Sequence, residues 1–326
     1  MRTCSSVAKY TQVVQSDSDS IVGWMPAEDP APEEMNDSLE FNVIASVILL
    51  LSLTALVLNI FILFCIYNLN VFWNFFGGLC ASRSVAQIIA SALYLFYCTP
   101  LTYLQSTPHL KLGIWMGLIN YLTDFAAGLS SFAIGINRFL AIWFFAKYRF
   151  LFRRFSIIAC VAVLWLIALA GTAVLGGYDV VVFYNPLWYI WMEPIPKPGF
   201  FNQIGADLFM TTGAIVIDVF TLGRIIYYKA TQTTPSSHNG NSYQRELRFF
   251  VQIASQNCLN FTNLYCILFI PNSEDSRVKQ FVLNQSLFLI YLNVEAIMFI
   301  LFNPEIRKFK CHDSVVFFTT SGNSNR

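Results

Sequence analysis

Hydrophobic positions along this chain come in long unbroken blocks, not at the alternating spacing of a half-buried strand. Seven apolar stretches, 41–67, 73–98, 114–141, 155–178, 201–227, 248–270 and 281–302, are separated by short polar breaks. Each is about 20 residues or longer, enough to cross a hydrocarbon core of ~30 Å as a helix. No Asp, Glu, Lys or Arg falls between Glu40 and Arg83, between Arg154 and Asp179, or between Arg248 and Glu274. In lipid the backbone must satisfy its own N–H and C=O groups, so blocks of this kind predict helices. The pattern therefore predicts an all-α membrane protein, a bundle of seven transmembrane helices, with no internal repeat.

Composition supports this. The chain is 56% hydrophobic and 12% charged, against about 25% charge in a soluble domain. A net charge of +1 gives no bulk attraction to nucleic acid and leaves membrane lipid as the expected surroundings. Orientation follows from the basic residues. Arg138, Lys147, Arg149, Arg153 and Arg154 surround the third-to-fourth connection, and Arg224, Lys229, Arg245 and Arg248 the fifth-to-sixth. Arg307, Lys308, Lys310 and Arg326 follow the last block, whereas the head is acidic. The N-terminus is expected outside and the C-terminus in the cytoplasm, in the plasma membrane. No apolar run follows Arg2, so the first block is expected to serve as its own insertion signal.

Three regions are expected. Residues 1–40 are rich in Ser, Asp, Glu and Pro and predict a disordered acidic extracellular head. Residues 41–303 form the helical domain, and 304–326 a juxtamembrane helix and cytoplasmic tail. Asn36-Asp37-Ser38 is a glycosylation sequon in the head; those at Asn260 and Asn284 fall inside helices and are expected to be unused. After Pro304, Ile306 and Phe309 share a side among Arg307, Lys308 and Lys310, predicting a helix along the inner leaflet. Cys311 at its end is a candidate palmitoylation site. Most cysteines lie in apolar blocks and read as small apolar residues. No cysteine occurs in 99–113 or 178–200, so no disulfide can staple the second outer loop to the third helix.

The third block ends Asn137-Arg138-Phe139, with Lys147-Tyr148 in the loop beyond. This resembles the Asp-Arg-Tyr end of the third helix in G-protein-coupled receptors, with Asn137 in place of the acid. Further matches run in order along the chain: Asn59; Gly78-Leu-Cys-Ala-Ser-Arg83-Ser84; Phe183-Tyr-Asn-Pro186 with Trp188 and Trp191; Asp218-x-x-Thr221-Leu222. Glu246-x-x-Phe249-Phe250-x-Gln252-x-x-x-Gln256 and Phe302-Asn303-Pro304-Glu305-Ile306-Arg307 complete the set. Together, over about 41–310, they resemble the nematode serpentine chemoreceptors of class x. The resemblance implies a chemosensory receptor of sensory neuron endings that passes an external small-molecule signal to a heterotrimeric G protein. It implies that Asn137, Arg138, Phe139, Lys147, Tyr148, Asn303 and Pro304 serve coupling or activation.

Ionisable groups inside a bilayer are costly and mark function. Arg83 and Glu295 both fall near mid-depth, on the second and seventh blocks, and are expected to pair as an intramembrane polar lock, with Asp124 as the alternative partner of Arg83. Asp124 lies fourteen residues before Arg138, ~21 Å along the axis and in the outer half. It is the leading ligand-contact candidate, beside Asn120, Tyr121, Trp188, Trp191 and Tyr265. The aromatic members suit an interfacial belt as well. Asp207 reads as a solvated group at the outer end of the fifth block and Asp218 as an inner packing group. Gly113-x-x-x-Gly117 is a small-residue pattern too common to predict a dimer.

A multi-helix transporter is the alternative reading, although repeated halves and broken helices are not visible. A retinal protein needs a lysine in the seventh block, and none lies between Lys279 and Lys308. The three His lie outside the blocks, and no metal-ligand or nucleophile spacing occurs, so neither an enzyme nor a cofactor is expected.

Overall fold

The structure, a computed structural model, describes residues 34–106, 110–144, 154–177, 182–192, 203–231, 240–269 and 276–308. The chain divides into two units, Met1–Glu40 and Phe41–Arg326. Among the described residues the elements are α1 (Glu34–Asn68), α2 (Phe75–Leu104), α3 (Leu110–Trp143) and α4 (Arg154–Gly177). A hairpin of β1 (Phe183–Asn185) and β2 (Ile190–Met192) follows, then α5 (Gln203–Thr231), α6 (Gly240–Phe269), α7 (Arg277–Phe302) and the short α8 (Pro304–Arg307).

Among the described residues all seven apolar blocks are helical, save Trp73 and Asn74 just ahead of α2. Two of the helices carry a π turn, Tyr94–Cys98 in α2 and Phe281–Ser286 in α7. Helix α1 starts at Glu34, so the end of the acidic head is helical and not disordered as expected. Six helices among those described are long and apolar enough to span a bilayer. The exception is α6, whose 30 residues are long enough but too polar. Gln252, Gln256 and Asn263 share one face of α6 and Asn257 lies on the side toward α5, and all four are buried. The polarity that weakens its membrane signal is thus turned into the bundle.

The outer surface is apolar. Val57, Ile60, Phe61 and Phe64 of α1 and Val219 and Phe220 of α5 are exposed, as lipid-facing positions require. Inside, two apolar clusters occupy opposite ends. One gathers Phe41, Ile48, Tyr94, Tyr97, Tyr184, Tyr189 and Phe281 at the hairpin end. The other gathers Ile62, Phe72, Phe76, Leu79, Ile134, Ile253 and Phe299 at the end where α3 finishes. Helix α3 is central, packing against α2, α4 and α5. Trp165 of α4 donates its indole N–H to Ser82 Oγ of α2 at 3.0 Å, and Ser82 meets Ser130 of α3 at 3.0 Å, so one hydroxyl ties three helices.

Candidate functional site

Between the two apolar clusters lies a buried polar layer. Arg83 of α2 forms an ion pair with Glu295 of α7, at a depth where an unpaired charge would be expensive. The guanidinium also donates to Tyr291 Oη at 3.1 Å and to Gln256 Oε1 at 3.4 Å. Gln87 donates to the second carboxylate oxygen of Glu295, and Gln256 Nε2 reaches the Glu295 carbonyl at 3.3 Å. Arg83 and Gln87 are one turn apart on α2, so both face the same acid. Helices α2, α6 and α7 are therefore joined by one charge-assisted network. Beside it is a cavity of about 20 Å³, lined by Asn59, Ser84 and Gln252 as well as Arg83, Gln87, Gln256 and Glu295, with the volume to hold a single water.

At the far end of α3, Asn137 and Arg138 are both buried. The Arg138 guanidinium carbon lies 4.1 Å from the centre of the Phe76 ring, a cation–π contact with α2. Asp218 of α5 interacts electrostatically with Arg138 and accepts a hydrogen bond from Asn257 Nδ2 of α6 at 2.7 Å. An acid of the fifth helix thus acts on Arg138, whose own helix carries Asn137 where the acid would stand. Asn303 at the foot of α7 donates to Gln252 Oε1 of α6 at 3.0 Å and to the Phe299 carbonyl at 2.6 Å. Pro304 then opens α8, where the missing N–H costs nothing. Ile306 is buried against this end of the bundle, whereas the sequence reading put it on a leaflet-facing side. Phe139 stacks on Trp143 with ring centres 5.3 Å apart. Lys147, Tyr148 and Cys311 lie outside the described residues, and so does the side chain of Asn36.

The hairpin end is closed by aromatic side chains. Asn185 Oδ1 accepts from Leu187 N at 2.9 Å, a local turn that reverses the chain after Pro186. Tyr189 takes a left-handed φ of 59°. That conformation delivers its ring between Phe41 and Phe281, 5.4 and 6.0 Å away. Thr102 spends its hydroxyl proton on the Cys98 carbonyl, so Tyr184 donates the 2.7 Å bond between their hydroxyls. Burial pushes the Tyr184 phenol well above its ordinary range, so it stays a neutral donor. Trp191 donates to Tyr94 Oη at 2.9 Å and stacks on Tyr97. Gly117 of α3 lets the hairpin approach, because a methyl there would overlap the Val182 carbonyl. These contacts hold the loop where no disulfide is available; Cys98 is a free, buried thiol.

The ligand-contact candidates do not converge as one set. Tyr121 is buried and Asn120 half-buried on the hairpin half of α3, and Asp124 lies one turn further in. Trp188 is half-buried at the hairpin turn, whereas Trp191 is an anchor of the loop on α2. Tyr265 is 52% exposed on the outward face of α6 and does not join the interior. Asp207, read from sequence as solvated, is only 8% exposed and hydrogen-bonds Asp124 across the α3–α5 contact. It stands beside Gly128 of α3, where an added methyl would be in ordinary contact, 3.5 Å from Asp207 Oδ1. Gln87, Tyr291 and Asn257 were also missed, and Gln256 and Tyr184 were read only as parts of family-like motifs. The spacing of Gln87 from Arg83 and of Gln252 from Gln256, one helical turn each, was the available signal.

A seven-helix bundle with a lipid-facing apolar exterior, a buried charged layer and an arginine at the end of a central third helix defines a multi-pass membrane receptor. The chain matches the family model described as serpentine type 7TM GPCR chemoreceptor Srx over residues 48–303. It belongs to that family, which is a receptor family and not a family of enzymes. A search of the curated proteins found no match.

Proposed function

We propose that the protein is a chemosensory receptor that couples an external small molecule to a cytoplasmic heterotrimeric G protein, in the plasma membrane of sensory neuron endings. The hairpin end and the N-terminus face outside, and the Arg138 end and the C-terminus face the cytoplasm, in keeping with the basic residues around 138–154 and 224–248. The observation that best supports this reading is the polar layer joining α2, α6 and α7 midway between the hairpin end and Arg138. An element held by a few directional contacts has discrete arrangements, and a ligand that prefers one of them shifts the population. Movement of α6 would break the Gln256 contacts to Arg83 and Glu295 and the Asn257 contact to Asp218 together. Arg138 would then be released from Asp218 and presented to the G protein with Asn137, Phe139, Lys147, Tyr148, Asn303 and Pro304. Arg83 and Glu295 act as the lock. Asn36 carries a glycan and Cys311 a palmitoyl chain.

The test is a panel of volatile and water-soluble compounds applied to cells expressing the chain with a calcium or cyclic-nucleotide reporter. At least one compound produces a saturable second-messenger response that is lost in Arg138→Ala at equal surface level. Accumulation of a labelled compound with no second-messenger change would make the protein a transporter instead.

A further inference from the structure

We propose that the cavity beside the ion pair is a binding site for one buried water, which accepts a hydrogen bond from Arg83 Nε and donates one to Asn59 Oδ1, so that α1 becomes the fourth helix joined to the lock. The site is a property of the interior and does not depend on which ligand or partner the protein takes.

The first observation is the cavity. It brings together Asn59 of α1, Arg83 and Ser84 of α2, Gln252 of α6 and Glu295 of α7. Its volume of about 20 Å³ exceeds the roughly 10–15 Å³ that one water needs and leaves no room for a hydrated ion. A wholly apolar cavity of this size stays dry, whereas one with several polar partners holds water. Here Ile62, Phe76 and Phe299 form only part of the wall, and the polar residues form the rest.

The second observation is a matched pair of unsatisfied groups on that wall. Asn59 is 0% exposed and spends its Nδ2 donor within its own helix, on the Ala55 carbonyl at 2.9 Å. Its Oδ1 finds no partner among the described residues. The terminal nitrogens of Arg83 are taken up by Glu295, Tyr291 and Gln256, but its Nε–H finds no partner among the described residues either. One group is an acceptor and the other a donor. Buried polar groups are nearly always paired, with protein or with ordered water. Helix α1 is held in place to serve this site, because Asn293 of α7 donates to the Leu51 carbonyl at 2.9 Å.

The chemistry selects the ligand. A lone donor and a lone acceptor call for a species that accepts and donates at once, which water does and a metal cation does not. A cation would also stand against the Arg83 guanidinium, and an anion against the Glu295 carboxylate. Ser84, buried at the next position of α2, lines the same cavity and offers a hydroxyl as the third partner. That brings the water to the three or so hydrogen bonds usual for a buried site. The guanidinium is planar and its N–H groups point in fixed directions. Holding Nε–H from α1 therefore steadies the edge that meets α6 and α7. Asn59 is a positioning residue of the lock, acting through the water.

The experiment is hydroxyl-radical footprinting by X-ray radiolysis of the full chain in lipid nanodiscs, with exchange into heavy-oxygen water and readout by mass spectrometry. Radicals from a resident water oxidise the side chains beside it, and slow uptake of heavy oxygen marks a water cut off from bulk. Phe76, Cys80 and Phe299, which line the cavity, are expected to be oxidised at least fivefold more than Phe41 and Leu289, which are equally buried in the other apolar cluster. Asn59→Leu is expected to bring that labelling down to the level of the controls. So is Ala296→Val, which fills the cavity from α7 without removing either unsatisfied group, and which carries the comparison where Asn59→Leu does not fold. Cavity labelling no higher than the controls in the wild-type chain, or labelling that persists in the folded variants, would overturn the proposal. So would stabilisation by sodium chloride over choline chloride that Ala296→Val abolishes, since the site would then hold a cation. No ligand or G protein enters the measurement, so its failure leaves the receptor reading intact, and failure of that reading leaves the water site intact.

Discussion

Arg83 and Glu295 show how far a residue can be read before its neighbours are known. A lone charge at mid-membrane costs ~2.5–3.5 kcal/mol on insertion scales, so two opposite charges at similar depth had reason to meet. They do meet, and Asp124 is engaged elsewhere, with Asp207. Arg83→Ala and Glu295→Ala should each lower the amount of receptor at the cell surface several-fold. The double substitution should recover part of that loss, because no unpaired charge remains buried. Recovery stays incomplete, since Gln87 and Tyr291 lose their partners as well. Strictly additive losses in this cycle, measured by surface labelling, would mean that the two side chains are not coupled. Asp207 was misread for a physical reason. Near the end of a largely apolar helix, sequence reports depth but not face, and the face that Asp207 occupies is the one packed on α3 beside Gly128. Asp218 makes a complementary case. If it restrains Arg138, then Asp218→Asn, which keeps the Asn257 contact possible, should raise basal second-messenger output about two- to tenfold, a coupling of roughly 0.4–1.4 kcal/mol. Unchanged or lower basal output at equal surface level would remove Asp218 from the restraint.

The helices themselves were legible, and the devices that join them were not. All seven apolar blocks became helices because lipid leaves the backbone no other solution. Helix α6 is the instructive member. Its Gln and Asn residues weaken its hydropathy, yet they are turned into the bundle, Asn257 toward α5 and Gln256 toward α7. The hairpin was only a short motif in sequence, Phe183 to Pro186 with two tryptophans. Its register, Tyr184 opposite Trp191, depends on contacts with α2 and α7 from distant parts of the chain. Gly117 belongs to the same device and explains a small-residue pattern that carried no reading of its own. Gly117→Leu should displace the hairpin, and Trp191→Phe should remove one hydrogen bond worth about 0.5–1.5 kcal/mol while keeping the stacking. Amide hydrogen exchange across 182–192 should rise strongly in the first variant and about two- to tenfold in the second. No change in either would show that the loop is held by other contacts.

For the molecule as a whole, the layers form a sequence of apolar cluster, polar lock and second apolar cluster, with Arg138 beneath. The account requires one orientation. An epitope in the head should be labelled on intact cells, and one at 236–241 only after permeabilisation; the opposite pattern would invert the ligand and G-protein faces. The account also requires that the Arg138 end act on a partner. The decisive measurement is guanine-nucleotide exchange on purified heterotrimeric G proteins by the receptor in nanodiscs, alone and with an active compound. The wild-type protein should accelerate exchange on at least one heterotrimer class, further with the compound, while Arg138→Ala should match empty nanodiscs yet still bind that compound. Exchange no faster than with empty nanodiscs for every heterotrimer class, or exchange indifferent to Arg138→Ala, would contradict the account.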